Sequence, residues 1–137
     1  MNETTVNECR MIDIRKFTDN RGYLSVVEGG LDIPFEIKRI YYLYMVPKVA
    51  RGAHAHKALQ QLLIATSGSV EVIMDDGTNK KSFMLDKPWK GLLIPPGLWR
   101  DLENFSGDAV VMCLASEKYD ASDYIRDYNE FKAYKRL

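Results

Sequence analysis

Cysteine is scarce in this sequence, and its placement excludes two common uses of the residue. The only two cysteines, Cys9 and Cys113, lie far apart and match no zinc-binding or redox spacing. Cys113 lies in the apolar run AVVMCLAS, where it is predicted to be a small core residue. We therefore expect no disulfide framework and a reducing compartment, the cytoplasm.

The sequence also lacks an excess of charge and any long apolar run. Nineteen basic residues balance nineteen acidic ones, so no field over the whole molecule would hold nucleic acid or an anionic membrane. No run approaches the roughly 18 apolar residues of a spanning helix, and the N-terminus has no apolar segment typical of a secretion signal. We therefore expect neither a nucleic-acid partner nor a membrane partner.

Short apolar stretches bounded by Gly, Pro, Asn and Asp recur along the chain and are typical of β-strands. The predicted strands are CRMIDIRKF, GYLSVVE, EIKRIYYLYMV, RGAHAH, QLLIATS, SVEVIMD, KKSFML, GLLIP, WRDLEN and AVVMCLAS. The DDGT segment at 75–78 predicts a hairpin, because Asp-Gly supplies the positive φ of tight turns. With 137 residues and no linker, the chain is expected to be one domain over 1–137, an all-β sandwich, jelly roll or barrel.

Only the C-terminal tail has a helical pattern. Ile125, Tyr128 and either Phe131 or Lys132 recur near the period of an α-helix. Asp120 or Ser122 is the predicted N-cap, because short polar side chains accept hydrogen bonds from the first backbone amides. We expect one C-terminal helix that packs on the sheets.

The chain has only two histidines, and they are one residue apart. Because alternate residues of a strand share a face, His54 and His56 should line the same cavity. Four residues then precede Gln61, and six more precede Gly68. This spacing resembles the first motif of the cupins, with Gln61 at the position of a metal-binding glutamate.

A second segment, GLLIPPGLWRDLEN, resembles the second cupin motif. Pro95, Gly97, Arg100 and Asn104 have its spacing, and Arg100 replaces its histidine. The resemblance implies a cupin jelly roll or β-barrel. Arginine is a fixed cation that only donates hydrogen bonds, so it would repel a metal ion. We therefore expect no metal and no other cofactor. We expect instead that the cavity carries out acid/base chemistry with His54 and His56, which titrate near neutral pH.

A closer resemblance is carried by IPFEIKRIYYLY, RGAHAHKALQQ, LWRDLENF and LASEKYDASDYIRDYNEF. These segments are similar to the sugar 3,4-ketoisomerases, WxcM-like cupins that act on dTDP-4-keto-6-deoxyglucose. Membership implies a metal-free jelly roll on the route to dTDP-3-amino-3,6-dideoxyhexoses, which enter O-antigen or S-layer polysaccharides. It also implies a homodimer, with N-terminal strands exchanged between subunits, that binds a dTDP-linked keto-deoxyhexose.

The implied reaction moves a carbonyl from carbon 4 to carbon 3 through an enediol. His54 is expected to be the base, by similarity to the R-G-x-H segment of the dTDP-sugar 3,5-epimerases, and His56 to shuttle the second proton. Arg39 and Tyr41 share one face of their strand. If that face is inward, Tyr41 is a proton donor or orients a substrate oxygen; if it is outward, Tyr42 is the core residue instead.

The substrate's diphosphate requires planar guanidinium groups, which bind phosphate oxygens in pairs. Arg51 and Arg126 are the first candidates, followed by Arg39. Arg21 is expected to reach the cavity from the partner subunit. The remaining contacts with the sugar are assigned to Gln61 and Arg100.

Three other functions remain open for the same residues. A nucleotide-sugar-binding cupin without catalysis would use the same cavity, and a dTDP-sugar 3,5-epimerase would share the histidine base. A metal-dependent dioxygenase is disfavoured by Gln61 and Arg100. Within the ketoisomerases, Arg21 and Arg100 leave both the gluco and the galacto product open.

Overall fold

The computed structural model describes residues 3–136, and this part of the chain forms twelve β-strands and one α-helix. The strands are β1 Arg10–Asp13, β2 Arg15–Asp19, β3 Gly22–Val26, β4 Arg39–Leu43, β5 Arg51–His56, β6 Gln61–Ser67, β7 Val70–Asp75, β8 Lys80–Leu85, β9 Lys90–Ile94, β10 Trp99–Glu103, β11 Val110–Ala115 and β12 Tyr124–Ile125. The helix α1 spans Tyr128–Lys135. All ten predicted strand segments contain strands; CRMIDIRKF divides between β1 and β2.

The strands form two five-stranded antiparallel sheets and one separate hairpin. The first sheet has the order β1-β9-β6-β11-β4 and the second the order β12-β5-β10-β7-β8, whereas β2 pairs only with β3. Apart from the β7–β8 hairpin, neighbours in each sheet are not consecutive in the chain, as in a jelly roll. The structure therefore confirms the predicted all-β jelly roll with one C-terminal helix.

The centre of the first sheet is buried on both faces, which explains why β6 has an apolar run rather than a strict alternation. Leu63 and Ala65 point into the main core between the sheets. Leu62 and Ile64 point the other way, into a second cluster with Ile33 and other residues of the segment before β4. This packing fixes the face of β6, so that Gln61, two residues before Leu63, also lies between the sheets.

The helix α1 covers the outer face of the second sheet. Its Phe131 is completely buried and packs with Trp99, Ala55 and Ile125. The predicted helix start was wrong, because Asp127 is the N-cap and accepts a hydrogen bond from Glu130 N. Asp120 instead caps a single 3-10 turn, and Ile125 lies on β12, which pairs with β5. No helix within residues 3–136 is long and apolar enough to span a membrane.

Candidate active site

Two imidazoles lie side by side on β5 and face the space between the sheets. The ring centroids of His54 and His56 are 4.9 Å apart, with the ring planes at 89°. His56 has no solvent exposure. The two side chains share one face of the strand, as the alternation predicts.

Each imidazole has one nitrogen fixed by a hydrogen-bond acceptor. Nδ1 of His54 lies 3.1 Å from the carbonyl oxygen of Gly52, and Nδ1 of His56 lies 3.0 Å from Oδ2 of Asp123. Carbonyl and carboxylate oxygens only accept, so both Nδ1 atoms carry the hydrogen in the neutral rings. Both Nε2 atoms therefore present a lone pair, and both are buried without a hydrogen-bond partner among the described residues.

Burial and nearby cations favour the neutral form of both imidazoles. The pKa of His54 is lowered to about 4 by loss of hydration and by the charge of Arg100. The same two causes, in the same order, lower the pKa of His56 to about 2. The expectation that these histidines titrate near neutral pH does not match this site, in which both are free bases at pH 7.

The buried guanidinium of Arg100 lies next to the imidazoles and has no carboxylate partner among residues 3–136. Arg100 is 2% exposed and donates to Oε1 of Gln61 at 2.5 Å and to the carbonyl of Leu98 at 3.0 Å. Burial lowers the pKa of Arg100, but guanidinium starts so high that it keeps its proton. The cavity therefore contains a positive charge whose bonded partners are neutral.

The phenol of Tyr41 also points between the sheets. Its hydroxyl accepts a hydrogen bond of 2.7 Å from Nε2 of Gln61, and burial raises its pKa above the ordinary value. Tyr42, on the opposite face of β4, is 58% exposed. Of the two orientations that the sequence left open for β4, the structure therefore has the one in which Tyr41 faces inward. Because its pKa is raised, the phenol is protonated at neutral pH.

These groups line one cavity, which we call the active cavity. It is bounded by Tyr41, Leu43, Arg51, Gly52, His54, Gln61, Leu63, Arg100, Leu102 and Cys113. The structure thus brings four predicted residues of different strands around His54. His56 lies behind His54 and in contact with it.

A β-bulge places Arg51 in the active cavity. Arg100 pairs with His54, whereas the next residue of β10, Asp101, pairs with Gly52, so one residue of β5 is unpaired. Arg51 pairs with Leu102, and partners across a ladder share a face. Without the extra residue, Arg51 would lie on the opposite face from His54.

Gly52 is required at this bulge. Its φ is +88°, and a Cβ there would lie 3.0 Å from the carbonyl oxygen of Arg100. An L-residue would meet backbone on the neighbouring strand in a conformation that it rarely adopts. The glycine therefore lets β5 approach β10 closely enough to aim Arg51 inward.

Two further arginines flank an aromatic cluster beside the histidines. Tyr124 lies 4.3 Å from His56 between ring centroids, and the guanidinium of Arg126 lies 4.1 Å from the Tyr124 ring. Arg39 lies over Tyr119 at 5.5 Å. Nε and Nη2 of Arg39 are buried without a hydrogen-bond partner in the described part of the chain.

Arg21 is not among the residues that line the active cavity of its own chain. It lies at the tip of the β2–β3 hairpin, where its side chain is 87% exposed and bonds to Asp19 at 2.6 Å. The structure of one chain therefore does not bring Arg21 to the predicted site.

Asp123 and Tyr124 are not among the site residues predicted from the sequence. Both lie in the ASDYI segment, in which the helix was predicted to begin. Asp123 accepts from the backbone N–H of Ala58 at 2.7 Å through Oδ1 and bonds to His56 through Oδ2. The usable signal was the resemblance itself, because the quoted segment LASEKYDASDYIRDYNEF contains both residues.

The donor set does not fit the metal site of other cupins. Arg100 donates a hydrogen bond to Gln61, so the two residues at the metal-ligand positions of the cupin motifs bond to each other. Within residues 3–136, no three His, Cys, Asp or Glu side chains are grouped to hold a metal ion. The residues present therefore do not fit a metal ion.

Sequence comparison assigns nearly the whole chain to one family. The model of the family "FdtA: WxcM-like, C-terminal" matches residues 7–136. The TDP-4-oxo-6-deoxy-alpha-D-glucose-3,4-oxoisomerase of Aneurinibacillus thermoaerophilus is 44% identical over 128 residues, which cover 93% of this chain and 92% of that protein.

Solved structures are similar over the same extent. A 3,4-ketoisomerase from Helicobacter canadensis is 44% identical with a TM-score of 0.92, over 95% of this chain and 98% of that one. A second similar structure is a histidine-to-asparagine variant of the 3,4-ketoisomerase QdtA from Thermoanaerobacterium thermosaccharolyticum in complex with TDP-4-keto-6-deoxyglucose. It is 39% identical with a TM-score of 0.92, and the match covers 97% of this chain and 99% of that one. The chain therefore belongs to the FdtA, WxcM-like C-terminal family, and its class is that of the sugar 3,4-ketoisomerases.

Proposed function

We propose that this chain converts TDP-4-keto-6-deoxyglucose into a TDP-linked 3-keto-6-deoxyhexose. One observation carries the chemistry: two neutral imidazoles, 4.9 Å apart, each keep an unbonded Nε2 beside a buried cation. A relative at 44% identity is named for this substrate. Proton transfer between neighbouring carbons requires bases of this kind at neutral pH.

The first step is removal of the hydrogen from carbon 3 by Nε2 of His54. The electrons of the broken C3–H bond form a double bond to carbon 4, and the carbonyl oxygen there becomes an enediolate oxygen. Arg100 and the hydroxyl of Tyr41 stabilise this negative charge, because preorganised hydrogen-bond donors are most effective where charge develops in a buried site. The imidazolium formed lies near Arg100, so it readily gives its proton up again.

The second step returns a proton to carbon 4 while the oxygen on carbon 3 becomes the carbonyl. The hydroxyl proton at carbon 3 passes to the oxygen at carbon 4, so that the reaction is an isomerisation with no change in atoms or electrons. His56, in edge contact with His54, takes the proton that His54 removed from carbon 3 and delivers it to carbon 4. Asp123 holds its ring in the tautomer that has Nε2 free.

Four cations are assigned to the anionic and sugar parts of the substrate. Arg51 at the cavity edge and Arg126 beside Tyr124 bind the diphosphate. Arg39, whose Nε and Nη2 are unbonded and buried, is the third candidate. Gln61 and Arg100 lie deeper and face the sugar.

We also propose that the chain acts as a homodimer with N-terminal strands exchanged. Phe17 and Leu24 lie on one face of the β2–β3 hairpin and Tyr23 lies on the other, whereas Ile40 and Tyr42 share a face of β4. Each of these five side chains is more than half exposed. Apolar surface of this kind favours a partner subunit. In that dimer the exposed Arg21 reaches the partner's active cavity.

We place this catalytic unit in the cytoplasm, as one domain over residues 1–137. Its two cysteines are buried and free, which agrees with a reducing compartment. The reaction belongs on the route to dTDP-3-amino-3,6-dideoxyhexoses of O-antigen or S-layer polysaccharides.

Incubation with TDP-4-keto-6-deoxyglucose is expected to yield the 3-keto isomer, detected by NMR or trapped with an aminotransferase. Turnover should survive exhaustive chelation and dialysis, because the donor set of the cavity does not fit a metal. A protein that binds the nucleotide sugar without converting it would support the non-catalytic alternative. Loss of turnover on chelation, restored by one divalent ion, would contradict the metal-free mechanism.

Replacement of Asp123 by asparagine is expected to lower turnover by about 10²-fold. Asparagine has one acceptor oxygen, which the N–H of Ala58 requires, so its amide N–H would face Nδ1 of His56. The ring would then move its hydrogen to Nε2 and lose its basic lone pair. ¹⁵N NMR of the imidazole should report the changed tautomer.

The matched control is Asp120→Asn in the same turn, where the carboxylate only caps Ser122. It should retain turnover and the wild-type His56 tautomer. If Asp123→Asn lowers turnover while the His56 tautomer is unchanged, the positioning role of Asp123 is wrong.

A further inference from the structure

The side chain of Gln61 joins the buried cation to the phenol of the active cavity. It is 1% exposed, and both ends of its amide are bonded. Oε1 accepts from Nη1 of Arg100 at 2.5 Å, and Nε2 donates to the hydroxyl of Tyr41 at 2.7 Å. The three side chains come from three strands and form one chain of hydrogen bonds.

The direction of this chain follows from chemistry. A guanidinium can only donate, so the amide must turn its oxygen toward Arg100. The amide nitrogen then faces Tyr41 and can only donate to it. Tyr41 is therefore an acceptor in this bond, and its own hydrogen is free to point elsewhere.

The hydrogen of Tyr41 has a weak acceptor as its other neighbour. Cys113 pairs with Tyr41 across β4 and β11 and lines the same cavity. A thiol is a weak acceptor, so an oxygen atom of a ligand would displace it. The phenol is thus prepared to donate into the cavity.

We propose that Gln61 is a positioning residue. It keeps Tyr41 oriented so that the phenol donates its hydrogen bond to the substrate and does not accept one from it. Because Arg100 donates to the oxygen of the neutral amide, the amide nitrogen must donate to the phenol. A carboxylate in the same place would accept from both neighbours and turn the Tyr41 hydrogen away from the cavity. This role rests on the proposed function, in which Tyr41 stabilises the enediolate oxygen.

The test is Gln61→Glu, which keeps the shape of the side chain and gives Arg100 a carboxylate partner, so the variant should fold. We expect kcat to fall by about 10²-fold, the usual effect of losing one oxyanion donor. The Kd of TDP should change by less than about threefold, because the nucleotide is bound elsewhere. Tyr41→Phe should lower kcat by a similar factor. The double variant should lower kcat little more than either single variant does.

Two controls keep the result specific. Gln60→Glu makes the same chemical change one residue earlier, outside the active cavity, and should retain kcat. With ¹³Cζ-labelled tyrosine, the Tyr41 resonance, assigned by its absence in Tyr41→Phe, should shift in Gln61→Glu without any substrate. That readout does not depend on turnover.

The outcomes separate the two proposals. Wild-type kcat in Gln61→Glu, or additive losses in the double variant, would overturn the role of Gln61 while the function stands. Wild-type protein without turnover would contradict the proposed function instead. In that case an unchanged Tyr41 resonance in Gln61→Glu would also overturn the positioning role, and a shifted resonance would support it.

Discussion

Replacement of His54 by asparagine is expected to abolish exchange of the substrate hydrogen at carbon 3, with a loss of about 10²–10⁴-fold in turnover. Asparagine has similar bulk and polarity but cannot accept a proton near neutral pH. His54 is the histidine that lines the active cavity, with its Nε2 unbonded. The measurement is NMR of the nucleotide sugar in deuterated water.

His56→Asn is the matched comparison, because it makes the same change two residues along β5. It should impair product formation while exchange at carbon 3 continues, since His54 retains its lone pair. TDP should bind both variants with nearly unchanged affinity, because the arginines are intact. If His54→Asn keeps a tenth or more of wild-type exchange, His54 is not the base.

The second large effect concerns stability in acid. The ordinary histidine pKa of 6.5 falls to about 4 at His54 and to about 2 at His56 in the folded protein. Below pH 6.5 the unfolded chain therefore binds protons that the folded chain does not. The free energy of unfolding should fall by about 1.4 kcal/mol per pH unit for each histidine, on the order of 5 kcal/mol between pH 7 and 4.5.

This loss is comparable to the whole stability of many domains, so partial acid unfolding is expected. Chemical denaturation at several pH values would measure it. The His54→Asn/His56→Asn variant isolates the effect, because carboxylates contribute equally to both proteins. Its stability should depend much less on pH; parallel profiles for the two proteins would show that the imidazoles are not held neutral.

The sequence was sufficient for features that depend on local periodicity. The alternation of β5 puts His54 and His56 on one face, and the structure has them 4.9 Å apart. The apolar runs gave the positions of ten strand segments. The scarcity of histidine also restricted the catalytic bases to this pair, since no other imidazole exists in the chain.

The helix start shows where local pattern was insufficient. Ile125 has the spacing of a helical residue, yet its segment pairs with β5 as β12. Pairing with an exposed strand edge satisfies backbone groups that a helix would otherwise satisfy internally. That choice is made by a distant strand, so periodicity within the segment could not reveal it.

The sequence by itself determined the all-β architecture, the histidine pair and the misfit of Gln61 and Arg100 to a metal, because these follow from residue type and spacing. Only the tertiary structure decided that Arg51 faces the cavity, because the bulge in β5 is defined against β10. It also decided the bond between His56 and Asp123, which are 67 residues apart. The neutral state of the imidazoles arises in the same way, since burial and the charge of Arg100 act across strands that only the folded chain brings together.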